Sequence, residues 1–147
     1  MYKQLLITTD GSEFAERGVT HGLKLAKALG AKVTVMTVTA PYSASGLPGG
    51  WIDTPAFIEV YEKERTEFAQ KILDKVQAQA QELGLTIEPL HVSAMHAAEA
   101  IIEKSQELNI DLIVMASHGR RGLKSFIIGS QTNEVLTRGH IPVLVVR

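Results

Sequence analysis

Short apolar, β-branched runs alternate along this chain with longer stretches of helical periodicity, and that alternation limits the fold more than any other feature. The runs are 3–9 (KQLLITT), 32–38 (KVTVMTV), 85–92 (LTIEPLHV), Leu112–Ala116 (LIVMA) and 141–146 (IPVLVV). Between the first two, Ser12 is placed to cap a helix whose inward positions are Ala15, Val19, Gly22, Leu23, Ala26 and Leu29, and Gly30 supplies its stop. A long helix over 56–83 carries a stripe of Phe57, Tyr61, Phe68, Ile72, Val76, Ala80 and Leu83. An aromatic stripe at this spacing reads as core. A helix over 97–108 turns Ala97, Ala100, Ile101 and Leu108 inward, and a last one spans 132–138. Strand followed by helix throughout predicts an α/β fold, a five-stranded parallel sheet wrapped on both faces by right-handed crossovers. Runs ending at Thr9 and Ala116 are the most evenly apolar and belong in the centre, whereas Pro89 suits only an edge. The strand order is then 3-2-1-4-5, with the switch point between the first and fourth strands.

Ligands of such sheets bind outside the carboxyl ends of the strands at the switch point. The segment 111–133, DLIVMASHGRRGLKSFIIGSQTN, leaves the sheet there. Between Leu112 and Asn133 it holds no carboxylate, yet Arg120, Arg121 and Lys124 fall within five residues of one another. Gly119 and Gly122 permit close approach of the backbone, and Gly129-Ser130-Gln131-Thr132 reads as a turn into a helix whose first amides are unpaired. Small residues, free amides and cations together describe an anion site, most often one for phosphate. Asp111, about 16 Å away at the other end of its strand, is outside that chemistry.

The whole chain of 147 residues carries a net charge of only -1, so this cationic cluster is local in purpose and neither nucleic acid nor an anionic membrane is a general partner. Without cysteine there is no disulfide, thiolate metal site or thiol nucleophile. No composition shift divides the chain, which predicts one domain over 1–147. No secretory signal pattern follows Met1 and no apolar run is long enough to span a bilayer, so a soluble, cytoplasmic protein is expected.

The stretch from Ala116 to Ser130 resembles the nucleotide motif of the universal stress protein family in its ATP-binding branch: Gly, two residues, Gly, nine residues, Gly, then Ser or Thr. Here Gly119, the spacer RRGLKSFII and Gly129-Ser130 are in register, while Ala116 stands where the family has the first glycine. Thr9-Asp10-Gly11-Ser12, Val38, the SHG tripeptide and the terminal PVLVV extend the match over nearly the whole chain. The resemblance implies a Rossmann-like domain, of the adenine nucleotide alpha hydrolase-like kind, that binds ATP. Asp10 would accept hydrogen bonds from ribose or adenine, and backbone groups of Thr8 and Val38 would hold the adenine edge. Met115, Ala116 and Gly119 would approach ribose and phosphates, with Gly129, Ser130, Gln131 and Thr132 donating to the phosphate tail. Arg120 and Arg121 join this set by charge alone. A methyl group at Ala116 would crowd the nucleotide, and Mg²⁺ would ride on the phosphates without a protein cage.

The functional expectation is a regulatory protein, not an enzyme, that couples ATP occupancy to oligomerisation or to an unidentified protein partner such as a transporter. A slow ATPase is the first alternative, disfavoured because the phosphate loop has no carboxylate to orient water or hold a metal. A nucleotide-free interaction module is the second. Ser117 and His118 are expected to point opposite ways and share no proton, and His91 and His96, five apart, make a poor metal pair. Trp51, in the irregular stretch 39–55, anchors that loop or covers a ligand. An apolar last strand at a sheet edge predicts, as the family resemblance also does, a homodimer through that strand or a larger assembly.

Overall fold

The computed structural model describes residues 1–43, 54–118 and 128–147. Strands β1 (Gln4–Thr8), β2 (Lys32–Thr39), β3 (Ile87–Ser93), β4 (Leu112–Ala116) and β5 (Val143–Val146) alternate with helices α1 (Glu13–Leu29), α2 (Pro55–Glu82), α3 (Ala97–Glu107) and α4 (Ser130–Arg138). All strand pairs are parallel and the order is β3-β2-β1-β4-β5, as the sequence predicts. Leu5 of β1 is in register with Val33 of β2 on one side and Leu112 of β4 on the other.

Alternation of side chains along the strands divides the core into two layers. Leu5, Ile7, Val35 and Val114 meet Val19 and Leu23 of α1 and Leu73 and Val76 of α2. Leu6, Met36, Ile113 and Met115 meet Ala98 and Ile101 of α3 and Val135 of α4. Each such side chain, when fully buried, contributes about 1.5–3 kcal/mol. Helix α1 lies close on the sheet because it presents glycine to it. A Cβ at Gly22 would stand 2.7 Å from Ile7 Cδ1. Ser12 Oγ caps α1 by accepting from Ala15 N, and Gly30, at φ 63°, closes it in the left-handed region that glycine adopts without strain.

Several predicted core positions lie elsewhere. At about 1.5 Å per residue the 28 residues of α2 reach roughly 42 Å, while the eight of β2 cover about 26 Å. The first turns of α2 therefore have no sheet beneath them, and its buried residues begin at Ala69. Phe57 is exposed, and Phe57 and Tyr61 pack edge-on against Tyr42 instead of entering the core. Arg65 lies over the rings of Tyr61 and Phe68. Leu29 and Leu108 are also exposed, each at the C-terminal end of its helix. In α3 Ala100 and Ile101 are buried as expected, joined by Ala98 and Ser105 in place of Ala97 and Leu108. Helix α4 starts at Ser130, two residues before its expected start. Asp111, outside the site as expected, has a structural duty: its carboxylate accepts from the backbone N–H groups of Lys3 (2.8 Å) and Gln4 (3.1 Å), clamping the starts of β1 and β4 together. Among the described residues no helix is long and apolar enough to cross a membrane.

Candidate functional site

Above the end of β1 its two neighbours continue, and their backbones face each other across the gap. In a parallel strand the N–H and C=O of one residue point to the same side and alternate along the chain. Thr39 O accepts from Ala94 N beside β3, and Met36 O accepts from Thr9 N beside β1. The backbone of Val38 therefore turns toward the β1 side, where the last register pair is Thr8 with Met36. On β4, Ile113 N and Ser117 N donate to Pro142 O and Val146 O beside β5, so the backbone of Ala116 turns the opposite way, toward the same gap. A crevice lined by main-chain groups results.

The turn from β1 to α1 closes its base. Ser12 N donates to Asp10 Oδ1 at 2.9 Å and Gly11 N donates to Thr9 Oγ1 at 3.1 Å, two local bonds that set the turn, with Gly11 at φ 76°. The hydroxyl of Thr37, buried in β2, donates to Thr9 O at 3.1 Å and fixes the loop against the sheet. Asp10 is thus held beside the crevice by the Ser12 N–H. Thr37 is a contributor that the sequence offers no cue for, since a threonine in a β-branched strand looks like any other.

Helix α4 brings its N-terminus to the same place. Gly129 N donates to Ser117 O (2.7 Å) and Thr132 Oγ1 donates to Ala116 O (2.9 Å), so two bonds pin the first turn against the end of β4. The first bond inside the helix runs from Asn133 N to Gly129 O, which leaves the N–H groups of Ser130, Gln131 and Thr132 with no carbonyl in the helix. No carboxylate occupies that first turn, in contrast to α1 with Glu13 and Glu16. Free amides and an uncompensated helix dipole make this end attractive to an anion. Two of the expected donors, the Gly129 N–H and the Thr132 hydroxyl, are spent on the pin just described. Gln131 Oε1 accepts from Ala98 N, capping α3 because His96 provides no side-chain cap. For a ligand Thr132 keeps its main-chain N–H, and Gln131 keeps its main-chain N–H and its side-chain NH2.

Ala116 turns its methyl to the α1 side of the sheet. A Cβ built on Gly18 would lie 3.6 Å from Ala116 Cβ and 3.2 Å from Ala116 N, so the absence of a side chain at Gly18 is what accommodates the methyl. The expected crowding of a ligand by Ala116 therefore has no geometric basis, since its Cβ is directed into the helix interface. The sequence cue to Gly18 is a glycine inside a helical pattern, which costs about 1 kcal/mol against alanine.

Ser117 and His118 overturn another expectation: Ser117 Oγ lies 3.0 Å from His118 Nδ1, within hydrogen-bonding distance. The strand has ended at Ala116, so the strict alternation that would separate the two side chains no longer applies. Ser117 is only 5% exposed, which keeps its oxygen from a substrate, and its contact with the imidazole orients the ring beside Phe14. His118 Nε2 is buried and has no hydrogen-bond partner among the described residues. Farther along, Thr39 Oγ1 and His91 Nε2 are 2.8 Å apart. No cluster of three or more His, Cys, Asp or Glu able to hold a metal occurs among the described residues. Arg138, at the far end of α4, is held above its ordinary protonation range by hydrogen bonds to Glu134 and Glu99, a clip between α4 and α3 away from the crevice.

Thr8, Asp10, Val38, Met115, Ala116, Gly129, Ser130, Gln131 and Thr132 thus cluster around one end of the sheet. Gly119, Arg120, Arg121 and Lys124, like Trp51, lie outside the described residues.

A family model described as the universal stress protein family matches residues 1–147. Universal stress protein MJ0531 of Methanocaldococcus jannaschii is 33% identical over 149 residues, covering 100% of this chain and 83% of the relative. YxiE of Bacillus subtilis, also a universal stress protein, is 30% identical with full coverage of both chains. Among solved structures, MJ0577 superimposes with a TM-score of 0.78 at 28% identity, covering 99% of this chain and 96% of that one. A universal stress protein in complex with cAMP gives 0.72 at 24% identity, covering 99% and 97%, and the Archaeoglobus fulgidus protein in complex with dAMP gives 0.65 at 22%, covering 99% and 98%.

Proposed function

The chain belongs to the universal stress protein family, and from that premise we propose that it is a regulatory protein that binds ATP in the crevice above β1. The observation that carries this reading is the N-terminus of α4, pinned by Gly129 and Thr132 to the end of β4 and aimed at the switch point of the sheet. Main-chain N–H groups of Ser130, Gln131 and Thr132 take the phosphates. The adenine edge lies along the backbone of Thr8 and Val38, and Asp10 accepts from the sugar. Two fold relatives have adenine nucleotides bound, cAMP in one and dAMP in the other, which supports adenine as the base. By their place in the sequence just after Gly119, Arg120 and Arg121 would add charge for the phosphates, and Mg²⁺ would be carried by the phosphates without a protein cage.

Occupancy has a short route to the sheet edge. Ser117, whose carbonyl holds Gly129, donates its own N–H to Val146 O of β5 at 2.7 Å. Among the described residues β5 pairs only with β4 and leaves Val143, Leu144, Val145 and Val146 partly exposed, an edge that a second copy of the chain covers in a homodimer. Shifts of α4 on nucleotide binding are thereby transmitted to that edge and to a protein partner. Hydrolysis is not the output on this reading, whose support is the sequence of the phosphate loop: it offers no carboxylate to orient water or hold a metal. Calorimetric titration with ATP tests the proposal: Asp10→Ala weakens binding while the fold is retained. Absence of heat at millimolar ATP would instead favour an interaction module without nucleotide.

A further inference from the structure

The β1–α1 turn has a second hollow on its other side. Between α1 and α2, a half-open cavity of about 190 Å³ is floored by Thr9 and Gly11 and walled by Val19, Phe68, Ile72 and Val76. It belongs to the α1/α2 layer of the core, whereas Val38 and Met115 of the nucleotide crevice belong to the α3/α4 layer. An apolar cavity of about 150 Å³ is enough to take a benzene ring, while pockets for drug-sized ligands start near 300 Å³. This hollow is therefore sized for a ring or a short hydrocarbon and is too small for a nucleotide.

Its mouth is polar and biased toward positive charge. Lys71 and Lys75 stand one helical turn apart on α2, and both line the opening. Lys75 is ion-paired with Glu16 across the gap to α1, but Lys71, exposed, has no ion pair among the described residues. Arg65 lies over the outer ring of the wall, 5.8 Å from the Phe68 centroid. An apolar well with an uncompensated ammonium at its lip fits a ligand that is greasy at one end and anionic at the other.

We propose that this hollow is a binding site for a small amphipathic carboxylate, a body of roughly six to eight carbons seated against Ile72 and Val76 with its carboxylate at Lys71. The site stands whether or not the crevice across the turn takes ATP, because it shares no wall side chain with it.

Octanoate is the probe, followed through the methyl resonances of the full chain. Saturable shifts are expected at Val19, Ile72 and Val76, with octanol binding about tenfold more weakly and Lys71→Glu weakening octanoate by about tenfold or more. Ile72→Phe, whose ring fills the well, abolishes the shifts at Val19 and Val76. Should that variant not fold, Lys71→Glu, on an exposed position, keeps the test open. No saturable shift at these methyls overturns the proposal, as does octanol binding as tightly as octanoate or an unchanged affinity in Lys71→Glu.

Discussion

Replacing Thr132 with valine keeps the outline of the side chain and removes the hydroxyl that holds the first turn of α4 against β4. Thr132 is 4% exposed and its Oγ1 donates to Ala116 O at 2.9 Å. The variant loses that bond and leaves a buried carbonyl short of a partner, a cost of about 1–3 kcal/mol, offset by up to about 0.8 kcal/mol from the additional buried methyl. A net loss of about 1–2 kcal/mol lowers the melting temperature of a domain of this size by roughly 2–8 °C. Function suffers too, because the amides of Ser130, Gln131 and Thr132 are aimed by this pin. One misdirected hydrogen bond to a charged phosphate costs about 1.5 kcal/mol, or about tenfold in affinity for ATP. Thr132→Ser keeps the hydroxyl and retains most of both properties. Thermal unfolding and calorimetry on the three proteins decide it. A Thr132→Val protein with wild-type melting and affinity, or a Thr132→Ser protein as impaired as the valine, would refute the role assigned to this bond.

Other consequences follow from the same contacts. Ala116→Gly leaves ATP affinity unchanged, because the methyl sits at Gly18, and lowers stability by about 0.5–1 kcal/mol in urea unfolding; a tighter complex would mean that the methyl does crowd the ligand. Gly22→Ala pushes a Cβ into Ile7 and destabilises the chain by about 1–3 kcal/mol, read from the same unfolding curves. Asp111→Ala leaves two amides at the start of β1 without their carboxylate, and hydrogen exchange at Lys3 and Gln4 accelerates while ATP affinity is retained. Purified protein turns ATP over far more slowly than about 1 per second, measured by phosphate release; a rate in that range would make it an enzyme.

The sheet was legible in the sequence because period-two and period-3.6 patterns scarcely overlap here, and Pro89 marked an edge strand that only an edge tolerates. Periodicity alone does not encode how far a helix overhangs its strands, and Phe57 and Tyr61 fall on a stripe beneath which the core does not extend. At the crevice, residue types such as Asp10, Gly129 and Ser130 signalled an anion site, but which of their groups stay free depends on tertiary partners. Gln131 gives its oxygen to Ala98, 33 residues away, and Thr132 gives its hydroxyl to Ala116, contacts that no local pattern encodes. The Ser117–His118 contact is not encoded by strand alternation, which ends with β4 at Ala116.

Amide resonances followed during titration with ATP test the central claim most directly. Saturating shifts at Ser130, Gln131 and Thr132 together with Val38 are predicted, since these groups face the crevice from opposite sides. Unchanged amides at millimolar ATP, or shifts confined to residues away from the end of β1, would contradict it.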